Sequence, residues 1–271
     1  MLEKTTALVC VALGAMLSTA RADDDTESKP AAEATASADG GDQLTLPKGR
    51  LLLNAFLGVN LNEVGKPISL SPDIWYGVTD DITVGLVHSA VGASGFIGGV
   101  GTSLCLTGAD NGCANLYSNV GADIRYKLKS GMLAYAVDAG VFVADVNASS
   151  ITLAAKLGAV ARWHSGPLAV EVQPNVFIGV TNRDAIVDTI NLPATALYTV
   201  APKIDVAGQI GFVVPLKNTG DAYSLPLSIG AFYHVNESLT ANAAFSLPRL
   251  IAASGGGIDA RTLTLGGTYA F

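Results

Sequence analysis

The chain has 271 residues, 49% of them hydrophobic and 14% charged, with a mean hydropathy of +0.41. Its 23 acidic residues outnumber 16 basic ones, and the resulting charge of −7 argues against a general nucleic-acid binder. Beyond residue 22 no apolar run reaches the roughly 20 residues of a membrane-spanning helix. High hydropathy spread over many alternating segments instead favours a closed barrel of strands, the other arrangement that satisfies every backbone polar group in lipid.

In chain order, Lys4 gives a short positive region, Thr5 to Ser18 an apolar stretch, and Ala20-Arg21-Ala22 a small-x-small cleavage site. The apolar stretch is too short to span a bilayer, so residues 1–22 read as a secretory signal peptide. Cys10 follows Val9, where a lipoprotein would have a small residue, and it reads as a small hydrophobe within the signal. Removing Lys4, Arg21 and Glu3 with that peptide turns the charge of −7 into −8. Residues 23–48 are rich in Ala, Asp, Glu, Ser and Thr and poor in large apolar side chains. Such a segment buries too little surface to offset its ordering entropy, so it reads as a disordered periplasmic linker, with a plug or a binding arm as the alternative.

From residue 49 to 271 the pattern becomes period two, the signature of strands. Leu51, Leu53, Ala55, Leu57 and Val59 alternate with Leu52, Asn54, Phe56, Gly58 and Asn60. The expected strands span 50–60, 67–78, 82–89, 115–128, 132–143, 150–163, 167–181, 192–201, 203–215, 223–234, 238–247 and 260–271. Pro193 and Pro202 disturb the pairing near 192–203, which leaves a ten-strand count as the alternative to twelve. Turns near 79–81, 129–131, 164–166, 201–203 and 235–237 are tight, whereas 90–114, 182–191 and 248–259 are longer. Cys105 and Cys113 bracket a short polar loop, and in an oxidising compartment a disulfide between them is the leading reading. Free thiols and a metal site are the alternatives.

The last strand, Arg261 to Phe271, sets Leu263, Leu265, Gly267, Tyr269 and Phe271 on one face and small hydroxyl residues on the other. A terminal Phe271 with Tyr269 two residues before it resembles the assembly signal of bacterial outer-membrane β-barrels, with Leu265 on the same face. Trp75-Tyr-Gly-Val-Thr-Asp-Asp-Ile-Thr-Val-Gly is echoed by Phe232-Tyr-His-Val-Asn-Glu-Ser-Leu-Thr-Ala-Asn. Both resemble the hairpin repeat of those barrels, with aromatics at the interface and short periplasmic turns. The resemblance implies an all-β, transmembrane, up-and-down antiparallel barrel of about twelve strands in a bacterial outer membrane. It also implies outer-membrane lipid and the barrel-assembly machinery as partners.

In such a barrel the polar face lines the lumen, since Arg or Lys on the lipid face costs roughly 2–4 kcal/mol at mid-depth. The expected pore-lining residues are Asp73, Asn119, Asp123, Arg125, Lys127, Asp138, Lys156, Arg162, Glu171, Gln173, Asn175, Asp205 and Gln209, joined by Ser228, His234 and Asn242. Two readings compete: a narrow wet path for small polar solutes, or acids and bases that pair across the lumen and plug it. The first makes the chain a porin-like passive channel without cofactor, metal or catalysis, and its mixed charges imply weak ion selectivity. The second makes it a structural anchor or an adhesin acting through its outer loops. An outer-membrane lipase is a third class, but His88-Ser89 and His164-Ser165 place adjacent residues on opposite faces of a strand or in a turn. His234 reads as a wet residue at the periplasmic rim.

Overall fold

The computed structural model describes residues 44–61, 66–88, 104–111, 117, 120–145, 152–183, 188–217, 222–253 and 256–271. The strand segments are β1 Leu51–Asn60, β2 Ile68–Thr79, β3 Ile82–Val87, β4 Leu104–Cys105, β5 Val120–Lys129, β6 Leu133–Asp145, β7 Thr152–Ser165 and β8 Leu168–Val172. They continue with β9 Asn175–Gly179, β10 Thr189–Asn191, β11 Ala194–Ala201, β12 Ile204–Ile210, β13 Val213–Pro215, β14 Ser224–His234, β15 Leu239–Ala252 and β16 Thr262–Ala270. β9 continues β8, β11 continues β10 and β13 continues β12, so the segments make a closed antiparallel barrel of twelve strands. β4 is a short extra piece that pairs with β2 at Ser69↔Cys105 and Leu70↔Leu104.

Closure is made by β1 and β16, whose ladder runs from Leu52↔Ala270 to Asn60↔Thr262. Beyond it the Phe271 N–H donates to the Leu51 carbonyl at 2.9 Å. A closed sheet leaves no edge of unpaired N–H and C=O groups, which is the condition for standing in lipid.

Three breaks explain why the stretch from 167 to 215 is hard to read as continuous strands. Pro174 and Pro193 lack the N–H that a ladder needs, and the third break, at Gly211-Phe212, faces a third proline, Pro226 on β14. The breaks lie side by side: Ala159 N–H donates to Pro174 O at 2.9 Å, Gln173 N–H to Pro193 O at 3.1 Å and Gly211 N–H to Pro226 O at 3.0 Å. A Cβ on Gly211 would stand 2.8 Å from the Pro226 ring, so glycine permits that approach. The strands therefore number twelve and not ten, but three of them are jointed. Two expected loops also shrink, because 182–191 contains β10 and 248–259 contains the end of β15. Within 82–89 the strand ends at Val87, and within 115–128 it starts at Val120.

Alternation sorts the side chains. On β5, Gly121, Asp123 and Arg125 are buried while Ala122, Ile124 and Tyr126 are exposed on the outer face. On β12, Asp205, Ala207 and Gln209 are buried against exposed Val206 and Ile210. The outer face is apolar, as a lipid-facing wall requires. One sequence expectation is reversed in part. Trp75 and Phe232, the first aromatics of the echoed hairpins, point inward and are buried, whereas Tyr233 stands exposed on the outside.

Candidate functional site: the inner wall

Among the described residues the inward charges meet sideways along β5 to β8. Register brings Arg125 opposite Asp138 and Arg162 opposite Glu171, while Asp123, Gly140 and Lys156 form one row across β5, β6 and β7. Lys156 Nζ lies 2.6 Å from Asp123 Oδ2 and 3.2 Å from Asp138 Oδ2, with Arg125 Nη2 3.5 Å from the same Asp138 oxygen. Arg162 Nη1 stands 3.9 Å from Glu171 Oε2. All these side chains are buried. Gly158 faces Asp138 in the ladder, and a Cβ there would overlap the Asp138 carboxylate, so the absent side chain makes room for the network.

The other expected residues fall into local groups. Asp73 accepts the His88 backbone N–H at 2.7 Å, and the His88 ring reaches the Pro72 carbonyl and the Tyr117 hydroxyl, the latter at 3.0 Å. Lys127 sits at the short-turn end, donating to the Asp80 carbonyl at 2.9 Å with Asp81 at 3.5 Å. Gln173 contacts Glu171, Asn175 donates to the Gln173 carbonyl at 2.9 Å, and Asn191 donates to Asn175 at 2.9 Å. Gln209 is buried on β12. Asp205 accepts Thr199 Oγ1–H at 2.7 Å and pairs with His234 Nε2 at 2.8 Å, while His234 Nδ1 meets Thr240 Oγ1 at 3.1 Å. His234 is thus a buried link between β12, β14 and β15 instead of a wet rim residue. Asn119 and Cys113 lie outside the described residues, as do 1–43; Cys105 is buried on β4.

A further element comes from the stretch expected as linker. Pro47 O accepts the Arg50 N–H at 3.1 Å, closing a turn in which Gly49 holds φ 81°, a conformation glycine adopts without cost. The turn sends Leu44–Leu46 back along the inner wall. Leu44 is buried against Ala134, Ala136 and Val160, and its carbonyl accepts Arg125 Nη1 at 3.3 Å. Thr45 Oγ1 donates to Asp80 O at 2.8 Å, Leu46 N–H to Thr83 Oγ1 at 2.7 Å and Lys48 N–H to Asp80 Oδ1 at 2.9 Å. Gly77 lies beneath this strap, and any Cβ there would overlap the Pro47 carbonyl oxygen. Only the Pro47-Lys48-Gly49-Arg50 turn signal could have disclosed the strap in advance, since its other residues look like linker.

Opposite the charged ladder the wall is uncharged. The segments Leu52–Asn60, Ser228–His234, Thr240–Ser246 and Thr262–Ala270 contain no Asp, Glu, Lys or Arg. Their inward side chains include Phe56, Phe232 and Ala244, which join Ala169, Leu197 and Ala207 in one buried apolar cluster.

This architecture has solved counterparts. The NanC porin superposes with a TM-score of 0.56 at 7% identity, covering 80% of this chain and 98% of that one. An outer membrane channel from Pseudomonas putida F1 gives 0.53 at 13% identity, covering 90% and 100%, and the KdgM porin gives 0.51 at 7%, covering 81% and 99%. The fold is that of an outer-membrane porin-like β-barrel. No protein-family model and no curated protein matches the chain.

Proposed function

We propose that this barrel is a narrow, passive, non-enzymatic channel for small polar solutes in a bacterial outer membrane. Its signal peptide, residues 1–22, is removed on export, and Leu265, Tyr269 and Phe271 present the assembly signal. The observation that carries this reading is the segregation of the inner wall. Charges neutralise one another sideways along β5–β8, so no ion pair among the described residues bars the lumen by bridging opposite walls. Asp73, Asn119, Asp123, Arg125, Lys127, Asp138, Lys156, Arg162, Glu171, Gln173, Asn175, Asp205 and Gln209 are assigned to the lining. A Cys105–Cys113 disulfide braces the outer loop, as oxidising surroundings favour.

Single-channel recording on the refolded protein in a planar bilayer tests the reading. Steady openings support it, and silence from folded protein overturns it. The burial of the ladder and of the apolar cluster favours a second reading in the latter case, a closed barrel that binds partners through its outer loops. Because acids and bases are nearly matched along the ladder, the expected reversal potential under a KCl gradient is close to zero. Lys156→Glu should move it toward cation preference.

A further inference from the structure

The uncharged wall carries hydrogen-bonding groups that the barrel itself does not use. Asn54 Oδ1, Asn242 Oδ1, Ser246 Oγ and Thr264 Oγ1 are buried without a hydrogen-bond partner. Their residues are 6%, 8%, 3% and 1% exposed, and all four belong to the inner faces of β1, β15 and β16. Buried polar groups are nearly always satisfied, and each orphan costs stability, so four on three adjoining strands call for a reason. The register arranges them around two aromatic rings. Phe232 faces Asn242, Asn242 faces Gly266, and Gly266 faces Phe56, one row across four neighbouring strands. Gly266 is the gap in that row: a Cβ there would overlap the Asn242 amide and stand 2.7 Å from the Phe56 ring. Thr264 and Ser246 continue the track toward the long-loop end, and Asn54 toward the short-turn end.

We propose that this track is a binding site for a neutral polyhydroxylated solute, a sugar or polyol, and that such solutes are the cargo. The assignment deepens the channel reading and rests on it. Sugar O–H groups supply the donors that the orphaned amide and hydroxyl oxygens lack, and the C–H faces of a sugar ring pack on Phe56 and Phe232. An anionic solute would lose hydration on this wall and meet the carboxylates that flank it, Asp73 opposite Asn54 and Asp205 opposite Phe232.

The test is maltose against glucuronate, measured by calorimetry on the micelle-refolded barrel and by sugar-induced interruption of ion current in a bilayer. Maltose is expected to bind and glucuronate to bind far more weakly. Asn242→Leu should weaken maltose about tenfold, the loss expected for about one good hydrogen bond and its packing. The same variant should resist denaturant as well as the parent or better, because it removes an orphaned acceptor. Thr264→Val, nearly isosteric, repeats the test where leucine disturbs folding. Equal maltose affinity in both folded variants, or preference for glucuronate, overturns the site. Conduction without maltose binding removes the sugar site and keeps the channel. Binding in a silent barrel keeps the site and removes the channel.

Discussion

Replacing Lys156 with Met is expected to lower the unfolding free energy of the barrel by about 3 kcal/mol, the low end of the cost of breaking a buried ion pair. Among the described residues Lys156 is the one base within 4.0 Å of Asp123, at 2.6 Å, and it also approaches Asp138 at 3.2 Å. After its loss Asp138 keeps Arg125, but Asp123 is left charged, buried and facing a second carboxylate. Removing the stranded carboxylate as well, in Lys156→Met with Asp123→Asn, should recover most of the loss. Equilibrium urea unfolding in lipid vesicles, followed by tryptophan fluorescence, measures these two variants and Asp123→Asn alone, and the double-mutant cycle isolates the pair. The size of the effect also reports the medium. A loss under about 1 kcal/mol would equate the ladder with an exposed ion pair and place it in open water.

That ladder shows how much of the site could be read from residues alone. Period-two alternation places Asp123, Arg125, Asp138, Lys156, Arg162 and Glu171 on one face, because a strand offers only two faces and lipid tolerates no charge on the outer one. It cannot say which acid meets which base. Pairing depends on register, and register is set by turns such as Ser130-Gly131-Met132 and by a bulge between Lys127 and Lys129. Strand count was legible for the same reason, while the jointed strands at Pro174, Pro193 and Gly211 were not. A proline signals a missing donor but does not reveal that its neighbours break at the same height. The orphaned groups were the least legible feature. Asn54 and Thr264 look like any polar residue on an inward face, and only the completed hydrogen-bond network shows them unpartnered.

Displacing the strap is expected to widen the channel. Leu44–Lys48 lies on the inner wall, where an added chain narrows the lumen by about one strand spacing, roughly 5 Å. Deleting residues 23–48 should therefore raise single-channel conductance about twofold in a barrel this narrow. Deletion alone would also change everything N-terminal to the strap, so Gly77→Val is the sharper variant. Its side chain occupies the position of the Pro47 carbonyl and evicts the strap while leaving the chain complete. Eviction costs four hydrogen bonds, one each with Arg125 and Thr83 and two with Asp80, and at about 1 kcal/mol each the barrel should lose about 4 kcal/mol of stability. Conductance that rises in both variants makes the strap a constriction. A rise in the deletion with none in Gly77→Val would assign the constriction to residues 23–43 and leave the strap as a girder that accepts a hydrogen bond from Arg125 and ties β2 to β3. Unchanged conductance in both would put the narrowest point elsewhere, on the row formed by Phe56, Asn242 and Phe232, where the same recordings with maltose present would find it.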